Sequence, residues 1–357
     1  MREPLGCCRR AGLASLESGA PRILWLVPEK VKKHTHVTPR VYLRRFATDG
    51  LLIAERTGRE PKPIGVPEVA VRKRFYTLKR SDGTSSNEVE NSLGTLESKV
   101  IEAFVAIDRG LLPLDPQAKA VLAEFIGVQM TRGVRYREMR SDHIKQNEDW
   151  LRGHVRELFL KHAPSDRASE ADDYARNYDL SRLETQENMV QAGIGTGIIL
   201  TNALVNMCWT MVAFDRPLLL GSDQPAVCWY APHRAGPWAP SQAVEIRVPL
   251  SPTQALVASW HDEDDRSHVL HGQALAGLSM NHYTAKQAAD WVYWLPGTTP
   301  RRGQPVHDEP ITGSPPATSR RRELTTELTE RLLESREETI TVFTPARVGS
   351  RESPLLY

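Results

Sequence analysis

A chain of 357 residues with 40% hydrophobic and 25% charged side chains can bury a sizeable core, which excludes disorder of the whole chain. Its 46 basic and 44 acidic side chains leave a formal charge of +2, so no global field draws it onto nucleic acid or a membrane, and any basic footprint must be local. The four cysteines, Cys7, Cys8, Cys208 and Cys228, lack metal-ligand or redox spacing and fit a reducing, cytoplasmic compartment, and the early apolar run Ile23 to Val27 is too short to span a membrane.

Residues 1–32 mix Gly, Pro and Arg without periodicity and read as a loosely ordered leader. Thr38 is placed to cap a short helix with Pro39 at its first position. Strand-like runs follow around Leu51 to Glu55 and Phe75 to Leu78, with Ser81-Asp82-Gly83 as a turn. From Asn87 to Asp108, Val89, Leu93, Leu96, Val100, Phe104 and Ile107 recur at helical spacing, and Ser85 with Glu88 makes a capping box. Asp115-Pro116 opens a second helix, expected to run to about Met139 and to pack antiparallel on the first. Helical patterns continue over 144–160 and 183–206, where Gly193, Gly195 and Gly197 permit close helix contact; a dinucleotide loop is the weaker alternative, because the spacing is G-x-G-x-G and no strand precedes it.

After Met207 the pattern changes to short Val-, Leu- and Trp-rich runs at 209–214, 218–222, 227–230, 244–250 and 255–260, which read as an antiparallel sheet. A helix at about 280–289 leads into a strand at 291–295. The expected organisation is therefore a single α+β domain over 33–296, helical over about 85–206 and sheet over 207–296, followed by a Pro/Gly/Arg/Ser-rich linker and polar tail over 297–357, with a polar helix at 323–338.

Candidate functional residues are polar groups where apolar ones belong. On the second helix Gln129 and Arg132 fall in the middle of the apolar face. A buried guanidinium needs a carboxylate, and Glu97, inside the apolar arc of the preceding helix, is the expected partner. This pair has two readings, an ion pair that only fixes helix register or the lining of a pocket. Ser222 and Asp223 end the apolar strand 218–222, where an acid either works or caps a turn. The acidic run His261 to His268, with His271 beyond it, reads as a solvated loop rather than a metal cage. No nucleophile elbow or Walker loop is present.

The segment His36-Val37-Thr38-Pro39-Arg40-Val41-Tyr42-Leu43-Arg44-Arg45-Phe46 is similar to the opening segment of the bacterial family catalogued as domain of unknown function 4238. Gly221-Ser222-Asp223-Gln224-Pro225-Ala226-Val227 resembles its later marker, and Gln129-x-x-Arg132, Pro249-Leu250-Ser251-Pro252 and Asn281 fit as well. Gln224 stands where the family has Asn, one residue is inserted before Val227, and Val37 and Thr38 replace Tyr and Val. The resemblance covers roughly residues 33–296 and implies positions without a mechanism.

Together these residues describe a site. His36, Glu97 and Asp223 are the candidate catalytic groups, and Gln129, Arg132, Ser222, Asn281 and Tyr42 the candidate binding groups. Glu97 and Asp223 could hold a divalent cation, His36 act as acid or base, and Arg132 neutralise an anionic substrate, which suits hydrolysis of a phosphate-containing substrate. The alternative is a non-catalytic binding or regulatory module for protein or nucleic acid, without membrane contact. In that reading the ion pair is structural, and Lys30, Lys32-Lys33, Arg44-Arg45 and Arg72-Lys73-Arg74 form a basic face with Tyr42, Phe75 and Tyr76 as stacking aromatics.

Overall fold

Asp115 accepts from the Ala118 N–H at 2.9 Å and Pro116 needs no donor, so the helix α3 (Pro116–Thr131) starts where the sequence places it. It ends earlier than expected. In this computed structural model, which describes residues 34–79, 84–229, 245–260, 265–266, 269–302 and 311, the backbone turns extended at Gly133 and a separate helix α4 (Val134–Gln146) follows. The break has a steric cause: a side chain at Gly133 would meet Gln224 Oε1 at 3.0 Å, so the backbone comes close to the 223–224 segment there.

Before α3 the chain forms β1 (His34–His36), the one-turn helix α1 (Arg40–Leu43), β2 (Leu51–Arg56), β3 (Lys62–Gly65), β4 (Val71–Lys73), β5 (Leu78–Lys79), β6 (Ser85–Ser86) and α2 (Glu88–Asp108). Pro39, and not Thr38, is the cap residue of α1. Of the expected strand at 75–78 only Leu78 is in a strand, as the first residue of β5. Ser85 belongs to β6 instead of capping α2, and Ser86 Oγ takes the Glu88 N–H at 3.1 Å in its place. After α4 come α5 (Glu148–His162), α6 (Ala168–Arg176), which was not anticipated, and α7 (Gln186–Asn206). The run expected over 144–160 is interrupted at Asn147.

Helices α2, α3 and α7 pack side by side. Phe104 meets Phe125 while Glu97 meets Arg132, so α2 and α3 run in opposite directions as expected. A Cβ on Gly193 would lie 2.9 Å from Thr131 O, and one on Gly127 only 2.6 Å from Gly197 O, so glycine lets α3 and α7 touch backbone to backbone. Gly195 has no atom within that reach, which corrects the grouping of all three glycines.

The strands β7 (Cys208–Ala213), β8 (Gly221–Ser222), β9 (Val227–Trp229), β10 (Glu245–Ser251), β11 (Gln254–Ser259) and β12 (Leu270–His271) precede α8 (Ala274–Gln287) and β13 (Trp291–Trp294). They do not form the one antiparallel sheet that their patterning suggests. Five of them make the order β12-β7-β11-β10-β9, in which β12 is parallel to β7, while β8 leaves to join β3-β2-β13-β8. Strand β13 thus pairs with β2, some 240 residues earlier in the chain: Trp291 faces Arg56 and Trp294 faces Ile53. The fold class is α+β, as expected. The leader, the tail helix, the Ser81–Gly83 turn and most of the 261–268 loop lie outside the described residues.

Candidate functional site

Arg132, one residue past the end of α3, is buried to 8% exposure, and each guanidinium nitrogen has a protein partner. Nη1 meets Glu97 Oε1 at 3.1 Å, Nη2 donates to His36 O at 2.6 Å, and Nε donates to Tyr76 Oη at 3.1 Å. Tyr76 in turn donates to Arg132 O at 3.0 Å, closing a ring around the helix end. The structure therefore brings Glu97 and His36 to Arg132, though His36 contributes its carbonyl. The His36 imidazole, half-buried, bonds through Nε2 to Pro67 O at 3.1 Å. Burial, with Arg40 and Arg132 nearby, lowers its pKa to about 4, so the ring is neutral near pH 7.

Ser222, Asp223 and Asn281 serve a different place. Asp223 Oδ1 accepts from Ala289 N at 2.9 Å, and Oδ2 accepts from Asp290 N at 2.9 Å and Trp291 N at 3.2 Å. Burial pushes its pKa up to about 6 despite those three donors, with Asp290 adding to the rise. Asn281 Oδ1 takes the Leu220 N–H and its Nδ2 donates to Leu218 O, and Tyr293 Oη donates to Ser222 O at 3.0 Å. All three fasten the 218–223 segment to α8 and β13 through backbone groups. Tyr42, buried, donates to Pro249 O. Gln129 is 2% exposed, and among the described residues its amide finds no hydrogen-bond partner.

Among the described residues no three His, Cys, Asp or Glu side chains are grouped to hold a metal ion. Asp265, from the acidic run, instead accepts Lys119 Nζ at 2.8 Å and Trp209 N at 2.9 Å. Arg45 is committed to Asp108 and Arg72 to Asp290, and Tyr42 and Tyr76 are buried, so neither ring offers a face to a base.

Two arginines escaped the sequence reading. Arg137, on α4, donates to the neutral acceptors Phe75 O at 2.7 Å and Gln186 Oε1 at 3.2 Å, with its guanidinium 3.6 Å from the Phe75 ring centroid. Burial lowers its pKa, because taking the guanidinium out of water disfavours its charge, with Tyr76 partly opposing the shift. It stands with Arg132, Tyr76 and Thr131 on a mostly apolar, narrow slot of about 20 Å³, whose walls include Leu93, Val128 and Val190. Arg247 is sealed in the sheet at 1% exposure, paired with Glu245 at 2.8 Å and stacked 4.6 Å from the Trp229 ring centroid. The signal was available at 245–247: opposite charges two apart on a strand share a face.

A protein-family model described as "Protein of unknown function (DUF4238)" matches residues 34–298. No curated protein and no solved structure matches the chain.

Proposed function

The chain belongs to the DUF4238 family, and we propose that within it this protein is a binding module for a small anion with an apolar body, held in the Tyr76–Arg132–Arg137 slot. The observation that carries this reading is Arg137, a half-buried cation bonded to neutral acceptors at the edge of an apolar cavity. A carboxylate or phosphate monoester would bring a negative charge to Arg137, and a short hydrocarbon would enter as the side chains of Leu93, Val128 and Val190 move apart. The Arg132–Glu97 pair then acts as scaffold, holding the slot's end in place. Isothermal titration with matched series of short alkyl carboxylates and alkyl phosphates tests it. Binding should strengthen with chain length until the slot is full, and both Arg137→Gln and Leu93→Trp should abolish it; heat-silent titrations with folded protein overturn the reading.

A second reading, phosphate-ester hydrolysis, is favoured by one observation, the neutral His36 ring close to Arg40 and Arg132. Against it, the Asp223 carboxylate is turned to the Ala289–Trp291 turn and is saturated by backbone donors. A phosphodiester and phosphomonoester panel with divalent metals decides. Turnover lost in Glu97→Ala and His36→Ala, both still folded, would replace the binding reading with this one.

A further inference from the structure

Helix α7 is long and apolar enough to cross a membrane by length and composition, yet 44% of that stretch is buried, so its other side faces outward. On that side Gln191 and Val205 are exposed and Gly195 and Asn202 half-buried, with Ile194 at 39% and Ile198 at 56% exposure. The positions 191, 195, 198, 202 and 205 advance by four and three alternately, the spacing of a seam along which one helix lies on another. From Asn188 to Asn206 the helix carries no ionisable side chain.

Gly195 sharpens the point. Gly193 and Gly197 admit the α3 backbone, but among the described residues nothing comes within 4 Å of a Cβ built on Gly195. A mid-helix glycine costs roughly 1 kcal/mol against alanine, and among the described residues no close contact offsets it. A glycine between two outward isoleucines is suited to the close approach of a second helix.

We propose that this face of α7 docks on the same face of a second copy of the chain, forming a two-fold dimer. Two-fold docking sets each patch against itself, so a charged face would repel its own copy, while this uncharged one can meet itself. Gln191 and Asn202 supply amides that donate and accept, and can therefore pair with their own kind. A lipid surface fits less well, since those amides interrupt the apolar stripe and no basic residue on it would meet a headgroup. Ile194 also walls the slot described above, so the second copy reaches the edge of that cavity.

Sedimentation velocity of the full chain, with circular dichroism to monitor folding, tests the proposal. The wild type should sediment as a dimer. Ile198→Glu and Ile198→Lys should each dissociate at about 100-fold higher concentration, and an equimolar mixture of the two should regain the dimer, because unlike charges then face each other. Val205→Glu provides a second probe should position 198 fail to fold. A monomeric wild type, a dimer indifferent to both positions, or a monomer that co-sediments with phosphatidylcholine vesicles would each overturn it.

Discussion

Among the described residues, two buried arginine pairs are built in opposite ways. Arg247 and Glu245 sit two residues apart on one strand with side-chain exposures of 1% and 0%, and Ile311 N adds a donor to the same carboxylate at 3.0 Å. Arg132 and Glu97 come from separate elements, and the Glu97 side chain keeps 26% of its surface in water. The first pair has no path to solvent, so neither charge can be rehydrated if the other is removed. The second can lose its acid and still keep two bonds from the guanidinium. A sealed pair is thus a structural commitment, whereas a pair with one partner at the surface can give up that partner at lower cost.

The largest effect that this contrast predicts is at the sealed pair. Arg247→Ala should lower unfolding stability by about 3–5 kcal/mol, because Glu245 is left charged and buried, while the double change Glu245→Leu with Arg247→Met should recover most of it. Urea titrations of the three proteins check this, and an equally unstable double variant would show that shape, not charge, sets the cost. Next comes the helix contact beside the open pair. Gly193→Ala should cost about 2 kcal/mol, because its Cβ would press on Thr131 O, whereas Gly195→Ala should not destabilise the fold, as seen by thermal unfolding of monomeric protein. Glu97→Ala should cost only about 1–2 kcal/mol, since Arg132 keeps its bonds to His36 O and Tyr76 Oη; a loss matching that of Arg247→Ala would erase the distinction between the pairs.

The smallest net effect concerns pH. Folding raises the Asp223 pKa from an ordinary 3.8 to about 6, so between those values the folded chain holds the extra proton and stability falls as pH rises. Folding lowers the His36 pKa from 6.5 to about 4, so over nearly the same range the unfolded chain holds the extra proton and stability rises with pH. The two slopes oppose each other, so the wild type should change little on their account between about pH 4 and 6. Equilibrium unfolding across that range should bring out a falling slope in His36→Gln and a rising one in Asp223→Asn. Parallel slopes in the two variants would mean that one of the two environments is misassigned.

Much of the fold was legible because local rules were obeyed. The α2 periodicity, the Asp115-Pro116 start and the Trp291 strand each follow from a few adjacent residues, and the Glu97–Arg132 pair followed from two helical wheels because both acid and base lie inside apolar arcs. The wheel for α3 failed only where Gly133 let a distant segment interrupt the helix. Arg137, beyond that break, could not be placed, since its orientation depends on where α4 departs.

By itself the sequence determined where α2, the start of α3, α7, β7, β10, β11 and β13 lie, which of their faces are apolar, and that Arg132 needs an acid, since each depends on side chains within a few turns of one another. Only the tertiary structure decided that β8 and β13 leave the main sheet to join β2, that Asp223 spends its carboxylate on the Ala289–Trp291 backbone, and that Arg137 bonds to neutral acceptors beside an apolar slot. Each of those outcomes joins residues tens to hundreds of positions apart. Which backbone donor or carboxylate arrives is set by how whole elements pack, and no local spacing records it.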